Sequence, residues 1–248
     1  MKQAREPTRI RSVAKAVQIL NHLAAEPAPR TAREVADALG MPVATTYHLL
    51  DTLVAEGMLA KDSRRLYHLG PGIGALAAAF QRRTAPPPYL LGPLRQLADA
   101  TRETAYLSAL QGDDVVILHS IEGSHAVLVR SLAPGFRGHA HARASGKVFL
   151  AHRPELLERL LDRGPLPALT PSTITDEAAL REDLAVVRSR GYALDREEFT
   201  PGVCGVAAPV LQGGDVIAAY TVSAPTARLD ERRDEVVAAV LAAAGATP

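Results

Sequence analysis

The chain has a single cysteine, Cys204, in 248 residues. No disulfide can form within it, which fits a reducing compartment such as the cytoplasm. Long apolar runs are missing too. Nothing approaches the ~18 consecutive apolar residues of a membrane-spanning helix. The opening Met-Lys-Gln-Ala-Arg-Glu-Pro is basic without the apolar core of a secretory signal. Hydrophobic material is not short, at 47% against 22% charged residues, so a disordered chain is excluded. Net charge is small, formally +1, but it is split: residues 1–83 carry 12 Lys+Arg against 7 Asp+Glu, and the remainder 16 against 20. A basic first third on a mildly acidic body points to an anionic partner for the first part alone. The length fits two modest domains.

What is present is ordered around Pro42-Val-Ala-Thr-Thr-Tyr-His-Leu-Leu-Asp-Thr-Leu-Val-Ala-Glu56. Proline suits the first helical position, and Thr46, Leu49, Leu50, Leu53 and Val54 recur at helical spacing. The opposite face holds Ala44, Thr45, His48, Asp51 and Thr52. These are the small and hydrogen-bonding groups with which a helix reads base edges in the major groove. Residues 12–26 read as an earlier helix with Val13, Val17, Leu20 and Ala24 on one face. Thr31-Ala-Arg-Glu34 has capping-box spacing; Val35, Ala38 and Leu39 supply the buried stripe of a second helix, which Gly40 stops. Two short helices around a glycine turn are a helix-turn-helix. Residues 58–61 and 66–69 are strand candidates around the polar turn Asp62-Ser-Arg-Arg65, which makes the unit winged and sets Lys61, Arg64 and Arg65 beside phosphate. Alone, the helix reads as a surface helix and the basic turn as a solvated loop; in this order they read as DNA contacts.

At this point the chain resembles the IclR family of bacterial transcription regulators, over nearly its full length. The N-terminal resemblance rests on Ser12-Val-Ala-Lys-Ala-Val-Gln-Ile-Leu20, the helix-turn-helix, and the wing ending in Tyr67-His-Leu-Gly70. Members commonly carry a basic residue shortly after the turn proline and an Arg late in the T-x-x-R run; here those positions are Val43 and His48. Thr45, Tyr47 and His48 are the candidate groove contacts, and Arg64 and Arg65 the phosphate contacts that carry more of the affinity. Residues 70–80 begin with breakers and become an Ala-rich helix ending in Arg82-Arg83, and Pro86-Pro-Pro88 is a stiff break. The expected domains are 1–70, a winged helix-turn-helix; 71–88, a linker helix and Pro-rich break; and 89–248, an effector-binding domain. The resemblance implies a linker helix that couples ligand state to the spacing of two DNA-binding domains in a dimer.

In the C-terminal part, 90–103, 145–152, 154–163, 176–191 and 231–244 read as helices. Residues 104–110, 115–120, 126–130, 203–211 and 216–223 read as strands, the last two joined by the hairpin signal Gln212-Gly-Gly-Asp215. This is α+β with a mainly antiparallel sheet, and the resemblance implies a GAF/PAS-like sensor fold. Three segments carry it. His141-Ala-Arg-Ala-Ser-Gly-Lys147 matches the family's H-x-x-x-x-G-K, and free amides at Ala144, Ser145 and Gly146 suit an anion, although a tight turn needs a glycine equally. It is not a phosphate loop, because Val148 follows the lysine. Gly191-Tyr-Ala-Leu-Asp195-Arg-Glu-Glu198 supplies Asp195, which the resemblance sets near the ligand. Gly202-Val-Cys-Gly-Val-Ala-Ala-Pro209 is accompanied by Thr221 and Ser223, two apart and so on one strand face. The family's cysteine falls at Gly205, and Cys204 lies one residue earlier, on the opposite face. The candidate effector contacts are thus His141, Ala144, Ser145, Gly146, Asp195, Val203, Cys204, Gly205, Thr221 and Ser223, with a core role for Cys204 as the competing reading.

The combined expectation is a cytoplasmic, ligand-responsive regulator. It is a repressor, a homodimer or homotetramer on double-stranded pseudo-palindromic operator DNA, and it senses a small organic or aromatic acid, with no cofactor, no membrane contact and no enzymatic activity. Two rivals remain. One is an enzyme using Cys204, His141 and Asp195 as nucleophile, base and orienter; the other is a metal sensor around His139 and His141, with His119 and His125 nearby.

Overall fold

The computed structural model describes residues 10–129 and 132–246, which form two compact units dividing after Arg83. The first holds α1 (Arg11–Ala25), α2 (Ala32–Leu39), α3 (Val43–Ala55), the antiparallel pair β1 (Leu59–Lys61) and β2 (Tyr67–Leu69), and all but the last residue of α4 (Pro71–Thr84). The capping box is formed: Thr31 Oγ1 accepts from the Glu34 amide at 3.2 Å, and Glu34 accepts from the Thr31 amide at 2.7 Å. Gly40 closes α2 in the left-handed region, at φ +61°, where a side chain would be strained. α3 begins one residue later than the proline suggests, because Pro42 is its N-cap with ψ 130°.

Ile19, Leu23, Val35, Leu50, Leu53, Leu59 and Tyr67 form the core of this unit. Two burial stripes differ from expectation. α1 packs Ile19 and Leu23, with Ala16 and Leu20, while Val13 and Val17 are 58% and 48% exposed and Ala24 is exposed. Apolar residues at helical spacing line both sides of this helix, and spacing alone does not choose between them. In α2, Ala32 and Ala36 are buried beside Val35 and Ala38 is exposed, since a methyl group carries too little apolar area to set a helix face.

The wing is reinforced by a bridge in which Arg30 and Tyr67 exchange backbone bonds of 3.0 and 2.7 Å. The breakers before α4 prove to be close-approach residues. Gly70 N donates to Met58 O at 2.8 Å and Gly72 N to Gly57 O at 2.9 Å. A Cβ at Gly70 would lie 2.5 Å from Gly57 O, inside van der Waals contact. The first turn of α4 is therefore clamped to the backbone entering β1.

The second unit contains α5 (Pro88–Thr101), β3 (Thr104–Gln111), β4 (Asp114–Ile121), α6 (Ala144–His152), α7 (Pro154–Leu161) and α8 (Glu177–Arg190). These are followed by β5 (Ala193–Arg196), β6 (Val203–Gln212), β7 (Asp215–Pro225), α9 (Thr226–Glu231) and α10 (Arg233–Gly245). The five strands form one antiparallel sheet in the order β4-β3-β7-β6-β5. One face packs Val148, Phe149, Leu180, Leu184, Ala207 and Ala219 with α6, α7 and α8; the other packs Leu94, Leu97, Leu107, Val206, Tyr220 and Val240 with α5 and α10. Buried on both faces, β6 and β7 read as nearly unbroken apolar runs. Gly213 and Gly214, at φ +61° and +91°, make the tight turn between them.

Three expectations change here. Residues 126–129 form no strand, and Arg130 lies outside the described residues. β5 appears where no strand was expected, because four residues ending in Asp195-Arg196 carry no apolar alternation. The last helix is α10, beginning two residues later than expected, and the short α9 precedes it where no helix was expected. No helix among the described residues is long and apolar enough to cross a membrane. The clamp on α4 is testable: Gly70→Ala should accelerate amide hydrogen exchange in peptides spanning residues 57–72, while the five-stranded sheet stays protected; unchanged exchange at 57–72 would show that the close approach is slack.

Candidate effector pocket and nucleic-acid interface

In the first unit, α3 turns Thr46, Leu50 and Leu53 inward, leaving Ala44, His48, Asp51 and Thr52 exposed and Thr45 half-buried. Tyr47 is 46% exposed. Two hydroxyls are already committed to the helix itself: Thr46 Oγ1 donates to Pro42 O at 3.2 Å and Thr52 Oγ1 to His48 O at 2.7 Å. In the wing, Asp62 Oδ1 accepts from the amides of Arg64 and Leu66, both at 2.9 Å. This Asx turn holds Arg65 at φ +63° and leaves the Arg64 and Arg65 side chains exposed. Lys61 lies over the Tyr67 ring at 4.9 Å. The exposed N-terminal half of α3 carries no acid; Asp51 follows one turn later.

In the second unit, strand register assembles the polar groups. Asp195 pairs with Gly205, Gly205 with Ser223, and Ser223 with Thr104. Directly paired residues share a sheet face, so these four form a row across β5, β6, β7 and β3. Thr221 and Ser108 lie on the same face by alternation. Gly205 is the low point of the row: a methyl group there would sit 3.5 Å from the Cβ atoms of both Ala144 and Asp195 and 3.7 Å from Ser223 Oγ. The first turn of α6 thus lies over Gly205, and this turn has no side-chain cap. Gly146 is needed for packing, since a Cβ would fall 2.2 Å from Ala140 O. Thr104 Oγ1, Ser108 Oγ and Thr221 Oγ1 are buried without a hydrogen-bond partner among the described residues.

Asp195 accepts from the amides of Glu198 at 2.8 Å and Phe199 at 3.3 Å. Burial outweighs those bonds, and its carboxyl is pushed up to about 7. Next to it, Lys147 is fully buried and bonds Glu198 Oε1 at 2.6 Å, Asp183 Oδ2 at 2.9 Å and Leu194 O at 3.3 Å. Thr170 and Thr173 donate to the carbonyls of Glu197 and Glu198, each at 2.6 Å. The turn carrying Asp195 is therefore tied to α6, α8 and the 170–173 loop.

The sequence-derived set divides. Ala144, Ser145, Gly146, Asp195, Gly205, Thr221 and Ser223 come together on this face or directly over it. Val203 shares the face only at the strand end, paired with Pro225. His141 is buried, with Nε2 on Pro167 O at 3.0 Å, and burial lowers its pKa; it anchors the loop before α6. Cys204 is corrected: it points into the opposite core with Leu194, Val206 and Tyr220, its thiol 3.5 Å from Thr226 Oγ1 and raised by burial. The structure shows no hydrogen bond among Cys204, His141 and Asp195: the thiol lies by Thr226 Oγ1, His141 Nε2 is on Pro167 O, and Asp195 accepts from the Glu198 and Phe199 amides. Among the described residues no three His, Cys, Asp or Glu side chains are grouped to hold a metal ion. The sequence reading missed Thr104 and Ser108, although both lie in an expected strand at even spacing from one another. It also passed over Arg143 and Lys147 inside a motif it had quoted.

Known proteins carry the same two parts. Residues 12–63 match the IclR helix-turn-helix domain, and residues 90–247 match the C-terminal domain of bacterial transcriptional regulator IclR. The chain belongs to the IclR family of transcriptional regulators. It is similar to HTH-type transcriptional regulator BhcR of Paracoccus denitrificans, with 40% identity over 227 residues, 90% of this chain and 81% of that one. HTH-type transcriptional repressor AllR of Escherichia coli is 30% identical over 88% of this chain and 81% of its own length. Among solved structures, an IclR regulator from Alicyclobacillus acidocaldarius superposes with a TM-score of 0.72 at 31% identity, covering 95% of this chain and 96% of that one. An IclR homologue from Microbacterium hydrocarbonoxydans, solved with 4-hydroxybenzoate, gives 0.70 at 26% identity over 95% and 97%. This IclR-family chain accordingly pairs a helix-turn-helix domain with a ligand-binding domain.

Two predictions concern the second unit. Lys147→Met leaves the buried Glu198 and the half-buried Asp183 without their cation and should lower stability by about 3–5 kcal/mol; adding Glu198→Gln should recover part of that loss, as urea unfolding of both variants will measure. Asp195 ionises near 7 when folded and near its ordinary value when unfolded. Its contribution is fully present below the unfolded value and is lost as pH rises through 7. Asp195→Asn, neutral throughout, should therefore gain stability relative to wild type between pH 5 and pH 8, on the order of a few kcal/mol. A difference that does not change with pH would show that Asp195 is not held protonated.

Proposed function

We propose that this IclR-family chain binds pseudo-palindromic operator DNA as a homo-oligomer, a dimer or tetramer, and represses transcription until a small carboxylic acid binds its second domain. The row Asp195–Gly205–Ser223 beneath the uncapped first turn of α6 carries the sensing half of this reading. Three hydroxyls without partners and a carboxyl that is half-protonated near neutral pH form a polar surface inside an otherwise apolar domain. Such a surface is costly unless a polar ligand or water satisfies it. A carboxylate fits, with the helix amides as donors and protonated Asp195 as a further one. The 4-hydroxybenzoate bound by the Microbacterium relative supports an acid ligand, and the repressor name of the AllR relative supports the sign of the response. Activity in the cytoplasm follows from the need to reach DNA.

On DNA, α3 enters the major groove with Thr45, Tyr47 and His48 toward the bases, and the wing sets Arg64 and Arg65 on phosphate. With Val43 and His48 on the reading helix where relatives commonly carry a basic residue and an arginine, the wing arginines supply much of the charge. Two-fold symmetry of the protein is mirrored in the half-sites.

Fluorescence anisotropy on DNA upstream of the chain's own gene, across a salt series and against unrelated DNA, tests the operator reading. Tight, sequence-preferring and salt-sensitive binding is expected. Replacing Arg64 and Arg65 with Ala should weaken binding to every sequence and reduce the salt slope by about 4 for a bound dimer, which loses two contacts in each protomer; an unchanged slope would remove the wing from the phosphate contacts. Asp195→Ala and Ser223→Ala should abolish release by an acid effector while the operator affinity stays as in wild type. A normal response in both would show that the acid binds elsewhere.

A further inference from the structure

The groove-facing helix lacks every side chain that reads a base at two points. Arginine and lysine pair with guanine in that way, and asparagine and glutamine with adenine. From Val43 to Ala55, α3 contains none of the four. Thr46 is buried, and both it and Thr52 already give their hydroxyls to helix carbonyls, Pro42 O and His48 O. Tyr47 and His48 offer single polar contacts. Asp51 suits the amino group of cytosine, but it lies two turns along, and the N-terminal residues of a recognition helix are the ones that reach base edges.

What the first turn presents is carbon. Val43 is 41% exposed, Ala44 is exposed and Thr45 is half-buried. The side chains of Val43 and Ala44 carry no polar atom, and neither belongs to the core formed by Ile19, Leu23, Val35, Leu50 and Leu53. Their position is nevertheless fixed. Pro42 O accepts both the Thr46 amide at 3.0 Å and the Thr46 hydroxyl at 3.2 Å, so the backbone of this turn is held from inside the unit. In the major groove the group that matches exposed methyls is the C5-methyl of thymine.

Resting on the reading of α3 as the groove helix, we propose that Val43 and Ala44 are specificity-determining residues that select thymine, their methyl groups packing on C5-methyl groups in each half-site. The contact is apolar and releases no counterions. Thymine selection is therefore independent of salt, whereas the wing contacts are not.

The full chain is used to select duplexes from a randomised pool, and each thymine of the selected half-site is then replaced by deoxyuridine, which removes only the C5-methyl group. Anisotropy titrations should show at least one thymine at which the replacement weakens binding by about fourfold, the value of one buried methyl. That ratio should stay the same across a salt series. In Val43→Ala or Ala44→Gly the thymine-to-uracil ratio at such a position should fall toward one. Both duplexes meet the same protein sample, so any loss of folded protein cancels, and a residue that only supports the helix does not move the ratio. Sequence-preferring binding in which every thymine tolerates deoxyuridine overturns the proposal and leaves the operator reading standing. A uracil-sensitive thymine whose ratio is unchanged in both variants is read by another residue, which overturns the assignment to Val43 and Ala44. If no duplex is bound, or none is preferred, the operator reading fails and the proposal with it.

Discussion

A sheet covered by helices on both faces leaves each strand side chain two destinations, and alternation along the strand chooses between them. Much of the second unit follows from that constraint. Cys204 goes to the α5–α10 side and behaves as a small core residue; Gly205, one position on, goes to the α6 side and lies low enough for the first turn of α6 to approach the sheet. Asp195, Ser223 and Thr104 join Gly205 because they are its partners in register. A slip of one residue in β6 would bury the thiol in the pocket and set a larger side chain where the floor must be empty.

Electrostatics maintains what register assembles. Lys147 is one cation between two acids, Glu198 and Asp183, and its attraction on Asp195 is smaller than the effect of burial. Glu198 adds to the repulsion that favours the protonated form of Asp195, after burial itself. The same Lys147 holds the Asp195 turn against α6 and α8, which makes it a positioning residue. A ligand that meets Asp195 meets a proton donor below about pH 7 and an anion above it, so the charge state of the pocket is tunable over the physiological range.

In the first unit the corresponding constraint is steric. Gly70 and Gly72 have no Cβ, and this lets α4 start directly on the backbone that enters the wing. The start of this helix is thereby fixed to the strand entering the wing. Its Ala-rich surface is largely exposed.

Much of this was legible in the chain itself. Helical spacing, the T-x-x-E capping box, the glycine stop at Gly40 and the Gly213-Gly214 hairpin are local, so residues 31–56 and 203–223 declare their structure with few outside contacts. Family motifs at 141–147 and 191–209 marked the segments that meet at the candidate pocket. Other features were not legible, each for a physical reason. Which side of α1 is buried depends on what packs against it, and both sides are apolar. β5 has too short an apolar pattern and exists because β6 offers it an edge. The unused donor of Arg143 and the excess acid around Lys147 are visible only when partners distant in sequence are counted. Sequence alone determined the elements, the order of the two domains and the identity of Asp195, Thr221 and Ser223 as a polar group. Only the tertiary structure decided that Cys204 leaves this group and that Arg143 is buried on backbone carbonyls, because face and burial are set by neighbours across strands and helices, and no local pattern records them.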